Sequence, residues 1–193
     1  MESKKTSELI QFTAKPRWYT FRGSVMIFAG GIIATLSIIA PDVNMLGESA
    51  SWVPVISVIV LLVGILRCSD ALASETAQGF LFNMQGGTLD VVVGFLVIFH
   101  TYDEPNDLNL LIVGYLLTQG IYRNILLSVA KIRNPMPNRV TGLISIILGI
   151  MIWIDWPTSI WFIAFSLSVD IGFRGWALIV MASSLKMEPV NKN

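Results

Sequence analysis

The sequence has little of what catalytic and metal-binding sites are commonly made from. Its 193 residues include one cysteine, Cys68, and one histidine, His100. A single cysteine excludes an intrachain disulfide, and there is no Cys/His spacing of the kind that binds zinc. Neither a Gly-x-Ser-x-Gly turn nor a glycine-rich phosphate loop occurs. We therefore expect no enzyme activity, no cofactor and no metal, with a membrane-embedded acid/base enzyme as an alternative that no group of residues supports.

Charge is also scarce. Charged residues make up 13% of the chain and hydrophobic residues 54%, and the mean hydropathy is +0.68. Such a chain is too apolar for an ordinary soluble domain, so most of it must contact lipid. Thirteen basic and thirteen acidic residues cancel, which leaves no overall charge to attract nucleic acid. The expected partner is the lipid bilayer, not nucleic acid, and a homo-oligomer or a membrane-protein partner is left open.

Six apolar segments approach the roughly 20 residues that a helix needs to cross a bilayer core about 30 Å thick. They predict an all-α membrane protein with a transmembrane domain of six helices over residues 20–185. A tail precedes this domain at residues 1–19 and another follows it at residues 186–193. The predicted spans are Phe21–Ala40, Trp52–Ala73, Phe82–Phe99, Leu108–Ala130, Val140–Ile154 and Ser159–Ser184.

Basic residues predict the orientation, because cytoplasmic loops retain Lys and Arg. They occur around the start of the first span, between the fourth and fifth spans, and after the sixth. The other three loops carry acidic residues and no basic one, so both tails are predicted to be cytoplasmic. The basic positions are Lys4, Lys5, Lys15, Arg17, Arg22, Lys131, Arg133, Arg139, Lys186 and Lys192, and the acidic ones are Asp42, Glu48, Asp103, Glu104, Asp107 and Asp155.

A pair of glycines seven residues apart recurs in each odd-numbered span. Seven residues are nearly two helical turns, so both glycines lie on one face and allow a neighbouring helix to approach closely. A proline follows each pair at the predicted outer end of the span. The glycine pairs are Gly23 and Gly30, Gly87 and Gly94, and Gly142 and Gly149, and the prolines are Pro41, Pro105 and Pro157.

Each even-numbered span carries one arginine shortly after a glycine. Together with the odd spans, this pattern predicts a helical hairpin that is used three times, over about residues 20–74, 82–131 and 139–185. Successive copies enter the membrane in the same direction, which permits a pseudo-threefold axis along the membrane normal. The glycine and arginine positions are Gly64 and Arg67, Gly120 and Arg123, and Gly172 and Arg174, with the last glycine shifted by one place.

Three hairpins, with a Gly-x6-Gly odd helix that ends in proline and a Gly-Ile-x-Arg even helix, resemble the HdeD family of acid-resistance membrane proteins. The resemblance covers roughly Phe21 to Leu185. It implies a small protein of the bacterial inner membrane with six helices that contributes to acid or other stress resistance, and it implies no catalytic residues. The chain departs from the family pattern in its long first outer loop, Asp42–Ser51, and in the shifted third glycine.

Ionisable residues inside membrane spans are costly, and each therefore raises the question of a functional site. Two oppositely charged pairs, one in the second span and one in the sixth, have helical spacing and can each meet on one helix face. The candidate intramembrane polar network consists of Arg67, Asp70, Asp90, Gln119, Arg123, Asn124, Asp170 and Arg174.

Two interpretations of these charges stay open. Asp90 and Arg123 lie at similar depth in neighbouring spans, and their pairing would hold the helices together while the arginines reach toward the cytoplasmic interface. Alternatively, the charges surround a polar cavity that binds an anion or relays protons, as in a small transporter or channel. The spans lack the Gly/Pro-interrupted half-helices of transporter sites, which favours the first interpretation. His100, beside an acidic outer loop, is a candidate sensor of external pH.

Overall fold

The computed structural model describes residues 16–41, 51–74, 77–100, 105–129, 136–155 and 159–186. All regular secondary structure in these ranges is helical, and each helix corresponds to one predicted apolar segment. Four helices begin earlier than predicted: at Pro16 rather than Phe21, at Ala77 rather than Phe82, at Pro105 rather than Leu108, and at Met136 rather than Val140. The helices are α1 Pro16–Ile39, α2 Val53–Leu72, α3 Ala77–His100, α4 Pro105–Val129, α5 Met136–Ile154 and α6 Ile160–Lys186.

Four helices are long and apolar enough to cross a membrane: α1, α2, α5 and α6. The apolar stretch of α3, Asn83–Phe99, is shorter. Large apolar side chains point outward from the helices, for example Phe28 at 73% and Leu72 at 76% exposure. Apolar surface of this kind is unfavourable in water and favourable against acyl chains. The described chain therefore has the composition and helix lengths of an α-helical membrane protein.

Prolines lie within the first two residues of four helices: Pro16, Pro54, Pro105 and Pro137. A proline there costs no helical hydrogen bond, because the first N–H groups of a helix have no partner within it. Pro105, which was predicted to follow the third span, thus begins α4.

The helices pack most extensively in three pairs: α1 with α6, α2 with α3, and α4 with α5. These pairs are not the predicted hairpins, because each odd helix packs on the even helix that precedes it, and α1 packs on the last helix. Fewer contacts join the pairs to one another, through α5 and α6, α3 and α4, and α2 and α6. Spacing along the sequence identified the contacting faces, but it carried no information about which helix lies against which.

The six predicted packing glycines all lie at these three interfaces. A Cβ added to Gly30 would be 2.5 Å from the Ser168 carbonyl oxygen, which is much closer than ordinary contact. Side chains larger than hydrogen would therefore separate the two backbones. A Cβ added to each of the other five glycines would also be close to the partner helix. The distances from that Cβ are 2.6 Å for Gly23 to Gly175 O, 2.9 Å for Gly87 to Cys68 N, 2.8 Å for Gly94 to Leu61 N, 3.1 Å for Gly142 to Gly120 O, and 3.1 Å for Gly149 to Leu117 Cγ.

One glycine on each even helix faces the first glycine of its odd partner. The carbonyl oxygens of Gly64, Gly120 and Gly175 make this contact at 3.0, 3.1 and 2.6 Å from the added Cβ. In α6 the contacting residue is therefore Gly175 rather than Gly172, the glycine that the sequence pattern aligned. Nothing lies within 4 Å of a Cβ added to Gly172. The three glycines that make the contact supply a common register for comparing the even helices.

A buried charge cluster as the candidate functional site

Asp90 on α3 is the centre of a buried charge cluster, and its side chain is 0% exposed. Arg67 on α2 donates from Nη1 to Oδ2 of Asp90 at 2.8 Å. Arg174 on α6 donates from Nη1 to Oδ1 at 2.8 Å. One carboxylate thus receives ion pairs from two other helices, and charge-assisted hydrogen bonds of this kind are the stronger ones in proteins.

Two neutral side chains of α4 also bind Asp90. The Tyr115 hydroxyl donates to Oδ1 at 2.6 Å, and the Gln119 amide donates to Oδ1 at 3.0 Å. Arg174 in turn donates to the Tyr115 oxygen at 2.9 Å and lies over the tyrosine ring at 5.6 Å from its centroid. Oδ1 thus accepts three hydrogen bonds and Oδ2 one, so both oxygens of the carboxylate are bound by donors.

Asp170 joins the cluster through Arg174, one turn further along α6. Their side chains form an ion pair, as the helical spacing predicted. Asp170 also accepts a hydrogen bond from the Ser145 hydroxyl of α5 at 2.5 Å. Arg174 therefore bridges two carboxylates, and the cluster connects α2, α3, α4, α5 and α6.

Two predicted pairings are wrong. Asp70 pairs with Arg22 of α1 at 2.5 Å, not with Arg67 on its own helix. Asp90 pairs with Arg67 and Arg174, not with Arg123. The reason is the helix packing, because α2 lies against α3 and brings Arg67 to Asp90. Arg22, whose side chain is 6% exposed, had been assigned to the orientation signal alone.

The position of Arg174 relative to the contacting glycine of α6 explains why this arginine binds Asp90. Arg174 precedes its contacting glycine by one residue, whereas Arg67 and Arg123 follow theirs by three. The difference of four residues is about 6 Å along a helix. Arg174 therefore corresponds to Gln119, which binds the same carboxylate, and not to the other two arginines. The sequence pattern, which aligns Gly172 with Gly64 and Gly120, instead equates Arg174 with Arg67 and Arg123.

Gly86 is a functional position that the sequence analysis missed. A Cβ at Gly86 would be 2.5 Å from Cζ and 2.7 Å from Nη1 of Arg67. The Gly86 carbonyl also accepts a hydrogen bond from Gln119 at 3.2 Å. The missing side chain thus makes room for the guanidinium that binds Asp90. The consecutive glycines Gly86 and Gly87 were the available signal.

Two predicted residues lie apart from the cluster. The Asn124 amide donates to the Gly120 carbonyl of its own helix at 2.9 Å and lies at the contact with Gly142. It therefore belongs to the α4 and α5 interface. His100 is the last residue of α3, and its side chain lies outside the described residues.

Buried apolar side chains surround the cluster and continue beyond it toward the end of the bundle where α2, α4 and α6 begin. Two sets, at eight and at four residues before the contacting glycines, take one residue from each even helix. All are at most 3% exposed and belong to one hydrophobic core. The set at four residues, Val60, Leu116 and Ile171, is at the level of Tyr115 and Asp170, whereas the set at eight residues, Ile56, Ile112 and Leu167, lies beyond the cluster.

A surface depression of about 400 Å³ lies at the turn between α5 and α6, away from the cluster. It is lined by Met151, Ile154, Asp155, Ser159, Trp161 and Phe162. In the described ranges, no three His, Cys, Asp or Glu side chains are grouped in a way that could hold a metal ion.

Comparisons of the chain with models of protein families, with curated proteins and with solved structures find no match. The function must therefore be inferred from the sequence pattern and from the geometry of the charge cluster.

Proposed function

We propose that the chain is a non-enzymatic integral membrane protein of the HdeD type, which contributes to acid or other stress resistance in the bacterial inner membrane. Its buried charges would serve to hold the helices in place. The observation that carries this proposal is the Asp90 carboxylate, which binds donors from α2, α4 and α6 while 0% exposed. It would act as a structural or regulatory component, alone, as a homo-oligomer or with another membrane protein.

A proton relay needs a carboxylate with a free position and a path for water. Asp90 has both oxygens occupied by donors. On the side where α2, α4 and α6 begin, the buried apolar side chains of Ile56, Ile112 and Leu167 lie beyond the cluster. Removing one partner of such a buried pair commonly costs about 3–5 kcal/mol. These features support a structural role.

The proposal includes six spans with both termini in the cytoplasm, and three sequence repeats in which each odd helix packs against an even helix of another repeat. The polar residues that lower the hydropathy of α3 and α4 are turned inward, since Asp90, Gln119 and Arg123 are at most 4% exposed. Inward polar groups are tolerated at membrane depth when neighbouring helices bind them. The repeated glycine contacts support a pseudo-threefold arrangement.

The second candidate function is a small transporter or channel for protons or a small solute. One observation favours it: Arg67 retains 12% exposure, so one side of the cluster is not fully closed. A pathway would require the ionisable groups themselves, whereas a structural role requires only that the buried groups be matched.

Asp90→Asn and the double variant Asp90→Asn with Arg67→Gln distinguish the two functions. The single variant leaves arginines unmatched, and we expect a loss of about 3 kcal/mol in unfolding free energy. The double variant removes one charge of each sign, and we expect most of this stability to return. Asp107→Asn, at an exposed position in the first turn of α4, is the control.

Acid survival of cells carrying each variant should follow the amount of folded protein in the membrane. Liposomes with the parent protein should show no proton flux above empty liposomes. Flux by the parent that disappears in a stable double variant, together with loss of acid protection, would replace the structural role by transport.

A further inference from the structure

Arg123 on α4 is buried, and no residue in the described part of the chain is its hydrogen-bond or ion-pair partner. Its side chain is 4% exposed. Among the described residues it forms no ion pair and donates no hydrogen bond, unlike Arg22, Arg67 and Arg174, which all bind carboxylates. Its Cβ lies 3.3 Å from a Cβ added to Gly142, so the side chain starts inside the interface of α4 and α5. With 4% exposure the side chain has lost most of its water, but no nitrogen of Arg123 is among the fully buried unpaired atoms, so its charged end keeps a small accessible surface.

The charges around Arg123 do not balance. In the charge cluster, Arg67 and Arg174 are matched by Asp90 and Asp170. Arg123 therefore adds one positive charge that no described carboxylate offsets. Arg22 and Asp70 neutralise each other and contribute nothing to this difference. Because an uncompensated buried charge is strongly unfavourable, a further negative charge is needed.

The other described carboxylates cannot supply that charge. Asp70, Asp90 and Asp170 are already bound to other arginines. Asp107 is in the first turn of α4, sixteen residues from Arg123 or about 24 Å along the helix. Asp155 follows the end of α5, thirteen residues or about 20 Å along that helix from Gly142, which lies beside Arg123. The compensating anion must therefore come from outside the described chain.

We propose that Arg123 binds a phosphate-type oxyanion, supplied by a phospholipid headgroup or by free phosphate. The planar guanidinium matches the oxygens of such an anion in a bidentate geometry. Arg123 lies six residues before Val129, the end of α4, or about 9 Å along the helix. A long arginine side chain at this depth can present its charge to the headgroup region. Binding of such an anion does not depend on the role proposed above.

The test compares the parent protein with Arg123→Gln in an uncharged detergent. Without phosphate or lipid, Arg123→Gln should unfold at the same or a higher temperature, because it removes an unmatched charge. Sodium phosphate, against sodium chloride at equal ionic strength, tests the free anion. Phosphatidylglycerol in mixed micelles, against added neutral detergent, tests the headgroup. At about one hundred times the Kd, the parent should unfold roughly 5 °C higher.

Arg139→Gln is the matched control, because Arg139 is an exposed arginine in the first turn of α5. It should respond to phosphate or lipid as the parent does, whereas Arg123→Gln should lose the shift and Arg123→Lys should keep part of it. A shift with phosphatidylglycerol alone identifies the headgroup, and a shift with free phosphate identifies the soluble anion; either supports the site. No shift with either probe, or an equal shift in Arg123→Gln, overturns it, as does a lower unfolding temperature of Arg123→Gln in the absence of both probes.

Discussion

Gly30 and Gly31 are adjacent on α1 but have opposite surroundings, and this gives a test of the helix packing. A Cβ at Gly30 would be 2.5 Å from the Ser168 carbonyl oxygen and 3.0 Å from the Gly172 nitrogen. Nothing lies within 4 Å of a Cβ at Gly31. Replacement by alanine adds the same methyl group in both cases and raises helix propensity by about 1 kcal/mol. This gain cancels when the two variants are compared with each other.

The difference between Gly30→Ala and Gly31→Ala then measures the contact of α1 with α6. Restoring ordinary contact at Gly30 requires the two backbones to separate by about 0.9 Å. A gap of that size forfeits a quarter to a half of the local dispersion energy. With a typical overpacking cost of about 1–3 kcal/mol, Gly30→Ala should be roughly 2 kcal/mol less stable than Gly31→Ala.

Thermal unfolding in detergent, followed by the loss of the monodisperse species in size-exclusion chromatography, measures this difference. Gly30→Ala should unfold about 5 °C below Gly31→Ala. If Gly30→Ala is as stable as Gly31→Ala, α1 does not approach α6 through this glycine. The pairing of the first helix with the last would then be refuted.

Two further predictions concern the cluster and the orientation. Gly86→Ala should displace Arg67 from Asp90 and lower the unfolding free energy by about 1–3 kcal/mol, whereas Gly114→Ala, with open space around it, should be neutral or stabilising. An unchanged stability of Gly86→Ala would mean that the guanidinium does not need this space. In a Cys68→Ala background, Glu48→Cys and Asp103→Cys should react with an impermeant thiol reagent from outside the cell, and Met136→Cys, at a position with 71% exposure, should not. The reverse labelling would invert the proposed orientation.

The sequence was sufficient for the elements and for the faces that pack. Apolar runs of the right length predicted six helices, and each described helix falls on one of them, because lipid leaves a backbone no other way to satisfy its hydrogen bonds. The Gly-x6-Gly pairs predicted close helix contacts, and all six glycines lie at such contacts. Asp170 and Arg174 pair as predicted, because both partners lie on one helix and its geometry alone brings them together.

The tertiary structure decided which helices are neighbours, and with them the partners of every charge between helices. Periodicity describes a face of one helix and says nothing about the helix opposite, so Asp90 was assigned to Arg123 while the packing gives it Arg67 and Arg174. Gly86 shows the same limit, because its role depends on a side chain from another helix. Local physics thus determined the helices and their contact faces, whereas the pairing of α1 with α6, far apart in the chain, depends on how all of these faces are buried together.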